Sequence, residues 1–321
     1  MNAKIEQMSK SNIRGSALPS SISRRLRLPV IAAPMFLVSG PDMIIASCRA
    51  GIIGAFPANN ARNVEELKTC LDLISTGVRA EDAPWAMCVL AHRSYTRKAE
   101  ELELLQQYQP PIVITALGSP AGIVQVVHDY GGLVFADVNS LTLARKAAAA
   151  GVDGMVLVSA GAGGHTGQIA GFAFVPAVRE FFDGIIILAG AISDGMAVRA
   201  ARVLGADLAY VGTRLIASCE SRAVTGYKQM LLDANAEDIV CSDALTGVPA
   251  NWLKPSLIAA GLDPAQPAHK ASIDFGSPEQ AEAKRWRDVW SAGHGVGAVK
   301  KIEPIGSIIE TMIAEYEGAT L

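Results

Sequence analysis

One histidine stands among glycines in the stretch SAGAGGHTGQ, which spans residues 159–168 and follows the apolar run GMVLV. A strand in a protein core does not need so many glycines, and a surface loop does not need a histidine there. The glycines let the backbone on both sides of His165 pass close to a flat ligand. A neutral imidazole could accept a proton or hydrogen-bond to an anionic substrate. His165 is therefore our candidate catalytic residue, although a lone histidine is more often structural.

Two further glycine-bearing turns, AGAISDG at residues 189–195 and VGTR at residues 211–214, lie between an apolar run and a helical pattern. Backbone N–H groups at the start of a helix are unpaired and can bind an anion. The two turns together favour a phosphate site, with ordinary tight turns as the alternative. We find no Walker A motif, no GxGxxG in a strand–helix context and no metal-ligand spacing, and we expect no metal.

The elements that carry these residues form a regular alternation along the chain. Eight continuous apolar runs are each followed by a helical segment; the runs cover residues 29–34, 52–56, 85–91, 112–117, 132–138, 154–160, 185–191 and 208–213. Continuous runs indicate strands that are buried on both faces, as in parallel sheets. Eight such units predict an α/β fold, a closed (β/α)8 TIM barrel, with an open doubly wound sheet as the rival. In a barrel, His165 and the two turns would lie at the same mouth.

The chain outside this alternation suggests four segments. Residues 1–28 form a polar, basic N-terminal arm, and residues 29–220 form the barrel. Residues 221–285 are rich in Pro, Asp and Ala without a clear strand, which predicts a small helical cap and substrate region after the eighth strand. Residues 286–321 return to the barrel, where the final helix and Trp286 or Trp290 could pack on the barrel or on a second subunit. A homodimer is therefore one option.

Composition excludes several classes of protein. The 321 residues are 50% hydrophobic with a net charge of -3, and the basic residues do not cluster, so we expect no nucleic-acid partner. No apolar run approaches the ~20 residues of a membrane span, and the N-terminus lacks the apolar core of a secretory signal. The five cysteines are odd in number and form no CxxC, which favours buried, reduced thiols. We expect a cytoplasmic protein.

Five segments, PVIAAPM, AGAGGHTGQ, LAGAISDG, GADLAYVGTR and WSAG, occur in an order that resembles the nitronate monooxygenase family, formerly called 2-nitropropane dioxygenases. The resemblance runs from about Pro29 to the end of the chain and implies that the barrel binds FMN non-covalently. The cofactor-binding residues that we assign from it and from the same loops are Ala33, Pro34, Met35, Asp137, Gly163, Gly164, Gly190, Ala191, Gly212, Thr213 and Ser291. The phosphate would lie on the turns after the last two strands.

The resemblance also implies a reaction. In the family an alkyl nitronate is oxidised by FMN and O2, and the product breaks down to a carbonyl compound and nitrite. His165 matches the family's active-site histidine, which acts as a base on neutral nitroalkanes or orients the anionic nitronate. The partners would be a small anionic substrate and O2.

The chain departs from its relatives at several positions, one of which is the phosphate loop, where it has AGA and relatives often have GG. Many relatives carry Asn near the end of the third strand, where this chain has Val89, and some carry Lys near the end of the fifth, where it has Asp137. A carboxylate there would not favour an anionic flavin or substrate as Lys would. His294 is an additional titratable group. Two alternatives stay open: an FMN-dependent NAD(P)H:quinone or enoyl-thioester reductase, and a non-catalytic flavin-binding protein.

Overall fold

The structure is a computed structural model that describes residues 17–265 and 287–319. Eight parallel strands close into a barrel, because the first strand pairs with the last at Ile31 and Tyr210. The barrel strands are β1 Val30–Ala32, β2 Ile53–Pro57, β3 Trp85–Leu90, β4 Ile112–Ala116, β5 Leu133–Val138, β6 Gly154–Val158, β8 Ile185–Ala189 and β9 Leu208–Val211. Strand β7, Gly164–His165, lies between β6 and β8 in the chain but outside the barrel. The predicted TIM barrel is confirmed.

Both faces of each barrel strand are buried, which explains the continuous apolar runs. In β5, Phe135 belongs to the core inside the barrel, whereas Val134 and Ala136 pack in the core between strands and helices. Burying a large apolar side chain stabilises the fold by about 1.5–3 kcal/mol. Because neither face meets water, no polar alternation remains in the sequence.

Helices follow the strands along the chain, and most of those between barrel strands cover the outside of the barrel. The helices are α1 Ser20–Ser23, α2 Pro41–Arg49, α3 Val64–Gly77, α4 Lys98–Tyr108, α5 Ala121–His128, α6 Leu141–Ala149, α7 Gly171–Arg179, α8 Gly195–Leu204, α9 Thr213–Ile216, α10 Thr225–Asp233, α11 Lys254–Ala259 and α12 Ile305–Gly318. Side-chain caps begin three of them: Asn63 accepts a hydrogen bond from Glu66 N at 2.8 Å, and Ser140 and Asp194 cap α6 and α8 in the same way. These caps fix the residue at which each of these three helices begins.

The segment after the eighth barrel strand is not purely helical, so the helical-cap prediction is wrong in part. Alongside α10 and α11 it contains β10 Ile239–Ser242 and β11 Ala250–Leu253, an antiparallel pair. Strand β11 also pairs with β7, which makes a three-stranded sheet. These strands are short and one partner is distant in the chain, so local pattern does not reveal them. Residues 266–285 of the predicted cap lie outside the described residues.

Both ends of the described chain pack on the barrel. Leu18 and Ile22 of the predicted arm join the core inside the barrel, and Ala17 N donates a hydrogen bond to Asp207 Oδ1 at 3.0 Å. At the other end, the carboxylate of Glu315 on α12 accepts a bond from Gly195 N at 2.8 Å. The arm therefore plugs the N-terminal end of the barrel, and the final helix packs on its own chain.

The structure also bears on the predictions for the tryptophans, the cysteines and membrane spans. Trp290 stacks on Tyr227 of the same chain, with ring centroids 5.2 Å apart, whereas Trp286 lies outside the described residues. All five cysteines are free, but Cys219 and Cys241 are exposed rather than buried. Within residues 17–265 and 287–319, no helix has both the length and the apolarity to cross a bilayer.

Candidate functional site

Glycine loops meet at the C-terminal end of the barrel. A Cβ atom on Gly163, in the loop after β6, would lie 2.8 Å from Gly293 N, and one on Gly293 would lie 2.6 Å from Gly161 O. Thr213 Oγ1, at the start of α9, accepts a hydrogen bond from Gly293 N at 2.9 Å. Only glycine allows this approach, because both obstructing atoms are backbone. The loops after β6 and β9 and the C-terminal segment therefore form one cradle.

The turn after β8 joins the same cradle. Gly190 has a φ of +124°, and Ala191 has a φ of 56°, which is uncommon for a residue with a side chain. Ala191 N donates a hydrogen bond to Gly161 O at 3.3 Å. Backbone held in this region stores about 1–3 kcal/mol of strain and is concentrated at functional sites. The predicted turn residues Gly190 and Ala191 thus lie against the loop that carries His165.

The loop after β1 lies beside the turn after β9. Ala33 N donates to Val211 O at 2.9 Å, and a Cβ on Gly212 would lie 3.4 Å from Met35 Sδ. The amide of Asn60 holds this loop, because its Nδ2 donates to Met35 O at 3.0 Å. Asn60 was not predicted. Its position just after β2, at the mouth, was the only signal in the sequence.

His165 lies on β7, where Ala250 of β11 is its pairing partner. Asn251, also on β11, donates from Nδ2 to Ala162 O at 2.7 Å, and Thr166 N donates to Pro249 O at 2.9 Å. The antiparallel pair of β10 and β11, which we call the cap hairpin, therefore orders the loop that carries His165, which we call the histidine loop. The imidazole is half-buried, and burial lowers the pKa of His165 to about 4. The ring is neutral near neutral pH, with one donor and one acceptor nitrogen.

Polar side chains face the interior of the barrel at its mouth. Asp137, two residues after Phe135 in β5, points to the same interior side. Burial raises the pKa of the Asp137 carboxyl to about 7. Burial, and next the charge of Asp137, raise the pKa of Tyr210 well above its usual range. Asp137 Oδ1 and the Tyr210 hydroxyl are both buried, and neither has a hydrogen-bond partner within the described parts of the chain. Tyr210 was not predicted, although it is a polar group in an otherwise apolar run.

The remaining positions differ in their placement. Ser291 pairs with Trp252 of β11 through a backbone bridge and lies two residues from Gly293. His294 is exposed, and its backbone N donates to Gly161 O at 2.9 Å, so its ring lies beside the cradle. Val89 lies near the C-terminal end of β3 and packs in the core between the strands and the helices. In the described portion, no three His, Cys, Asp or Glu side chains are grouped as metal ligands.

Comparisons with known proteins identify the family of this chain. The family model described as nitronate monooxygenase matches residues 21–315. A nitronate monooxygenase of Paraburkholderia phytofirmans is 27% identical over 84% of this chain and 86% of its own length. A (3aS,4S,5R,7aS)-5-hydroxy-7a-methyl-1-oxo-octahydro-1H-indene-4-carboxyl-CoA dehydrogenase of Mycobacterium tuberculosis is 26% identical over 72% of this chain and 64% of its own.

Two solved structures have the same fold. Nitroalkane oxidase from Streptomyces ansochromogenes superposes with a TM-score of 0.78 at 22% identity, covering 93% of this chain and 98% of that one. FabK from Thermotoga maritima superposes with a TM-score of 0.77 at 23% identity, covering 94% and 96%. At these identities the likeness concerns the fold alone.

The bond from Asn251 to the histidine loop gives a first prediction. In Asn251→Ala the buried Ala162 carbonyl loses its donor, so we expect unfolding free energy to fall by about 1–3 kcal/mol. Hydrogen exchange should become faster at the amides of residues 161–166. Asn235→Ala is the control, because Asn235 is exposed and caps a separate short helix. Unchanged protection of residues 161–166 in Asn251→Ala would contradict the ordering role.

Proposed function

Because the chain belongs to the nitronate monooxygenase family and is thus an oxidoreductase, we propose that it uses FMN and O2 to oxidise alkyl nitronates. The products would be a carbonyl compound and nitrite. One observation carries the proposal above all others: a neutral imidazole, His165, is held by the cap hairpin directly beside a glycine cradle. The substrate is expected to be a small anion. The homodimer, the four segment boundaries and the cytoplasmic location stay predictions.

The residues at the mouth fit a flavin mononucleotide. The glycine-bearing loops around the cradle carry Gly163, Gly190, Ala191, Gly212 and Thr213, and we expect backbone N–H groups of these loops to bind the phosphate. The buried atoms of Asp137 and Tyr210 that have no partner in the described parts of the chain suit the polar edge of a flat ring. FMN, when bound, would accept electrons from the substrate and pass them to O2. Ala33, Pro34, Met35, Gly164 and Ser291 would complete the binding surface.

His165 would act through its neutral ring. The acceptor nitrogen can take the proton from the carbon beside the nitro group of a neutral nitroalkane. The donor nitrogen can hydrogen-bond to an oxygen of a nitronate that is already anionic. The low pKa of His165 means that it is in the competent form at all pH values well above about 4, but it also makes the ring a weak base. Pre-formed nitronates should therefore be the better substrates.

A reductase is the second candidate. The CoA dehydrogenase of M. tuberculosis is nearly as similar in identity as the nitronate monooxygenase, and its name describes redox chemistry on a CoA thioester. The reductase would take its electrons from NADH or NADPH and pass them to a quinone or an enoyl thioester. Such an enzyme would use the same flavin cradle. The two candidates differ in the electron donor, so reduction by NADH or NADPH separates them.

The cradle predicts a specific loss of cofactor. Thr213→Val removes the oxygen that accepts from Gly293 N, so we expect the dissociation constant for FMN to rise by about tenfold or more. Thr213→Ser keeps that oxygen and should bind FMN like the wild type. Fluorescence quenching of added FMN measures both. Equal FMN affinity in the valine variant and wild type would count against a phosphate site here.

The histidine predicts a difference between two substrates. His165→Asn keeps a polar side chain but removes the base, so kcat/KM should fall by about 10²-fold or more on neutral nitroalkanes. The loss on pre-formed nitronates should be much smaller. Oxygen uptake and nitrite release measure both reactions. Rates equal to wild type on both substrates would end the catalytic assignment of His165.

A further inference from the structure

The floor of the barrel mouth contains two polar groups that the proposed reaction does not use. Asp137 and Tyr210 lie on β5 and β9 and point into the barrel, and their free atoms, Oδ1 and the phenolic oxygen, are buried without partners among the described residues. An unsatisfied buried polar atom costs about 1–3 kcal/mol, so two at one place indicate a ligand that bonds to them. A ligand that bonds to both atoms would lie across the mouth of the barrel.

The surroundings of Asp137 are almost entirely apolar. Burial is the one cause of its raised pKa, so no described Lys or Arg offsets the carboxylate charge. Two titratable groups lie close to it, because its charge helps to raise the pKa of the Cys88 thiol on β3 and of the Tyr210 hydroxyl. Glu101 acts on Cys88 from α4, on the other side of the strand wall. Neither thiol nor hydroxyl supplies a positive charge.

We infer that Asp137 and Tyr210 hydrogen-bond to the polar edge of the bound flavin ring and that the charge of Asp137 limits the negative charge this ring can carry. This inference rests on the proposed flavin site. As a neutral acid, Asp137 donates a hydrogen bond and stabilises a negatively charged ring. As a carboxylate in an apolar site, it repels that charge. Tyr210 stays a neutral donor throughout. Asp137 thus couples flavin chemistry to pH close to neutrality.

Sulfite is a direct probe of this property and requires no turnover. It donates an electron pair to a nitrogen of the oxidised flavin, a sulfur–nitrogen bond forms reversibly, and the ring gains a negative charge. No further reactant is needed. The flavin absorbance falls as the adduct forms, so a titration gives the dissociation constant of sulfite at each pH. The ionisation of sulfite itself affects the variant and the wild type equally, so it cancels in the ratio of their dissociation constants.

Asp137→Asn should show the dependence on pH. Near pH 5.5, where Asp137 is neutral, wild type and variant should bind sulfite within about threefold of each other. Near pH 8.5 the wild type should bind at least about tenfold more weakly than the variant, because only the wild type has a carboxylate beside the ring. Tyr210→Phe should weaken sulfite binding at both pH values. If Asp137→Asn does not fold, Asp137→Ser serves for the same comparison.

Glu101→Gln is a matched control. Glu101 is also a buried carboxyl whose Oε2 has no partner among the residues described, and burial raises its pKa to about 7, but it lies on α4, outside the barrel. It should follow the wild type at both pH values. A ratio between Asp137→Asn and wild type that stays constant with pH would overturn the inference alone, as would a Glu101→Gln that behaves like Asp137→Asn. Failure of every protein to bind FMN would overturn the proposed function as well.

Discussion

The mouth of the barrel depends on backbone contacts that a single methyl group would prevent. Gly163, Gly293 and Gly161 approach one another so closely that a Cβ on either of the first two would lie within 3 Å of backbone atoms. Thr213, in the loop after β9, accepts a hydrogen bond from Gly293 N at the same place. Since these residues come from three separate parts of the chain, this contact sets the positions of the histidine loop, the phosphate cradle and the C-terminal segment together.

Burial also determines the charge of the site. It lowers the pKa of His165 to about 4 and raises that of Asp137 to about 7, so both groups are neutral between these values. Such opposite pKa shifts leave His165 as a neutral base and Asp137 as a neutral acid in the same site. The two shifts act oppositely on stability. The histidine's contribution is lost as pH falls from about 6.5 towards 4, whereas the carboxyl destabilises the fold progressively as pH rises from about 3.8 to 7. Near neutral pH the His165 ring is therefore uncharged, whereas Asp137 gains its charge as pH rises through about 7.

The barrel could be predicted because parallel strands buried on both faces leave continuous apolar runs, and β8 and β9 end in the glycine turns that the pattern marked. The position of His165 at the mouth followed from the same strand count. The cap hairpin could not be predicted, since β11 pairs with a two-residue strand that only tertiary contact creates. Tyr210 was missed for a related reason: a tyrosine in an apolar run indicates core, and only the fold shows that its hydroxyl has no partner among the described residues.

The most direct test is to identify which compound supplies electrons to the flavin. The purified protein, reconstituted with FMN, would be mixed without oxygen with an alkyl nitronate, and separately with NADH and NADPH, while the flavin absorbance is recorded. The account predicts that the flavin spectrum changes with the nitronate and not with either nicotinamide. Bleaching by NADH or NADPH, with no response to the nitronate, would contradict it and support the reductase.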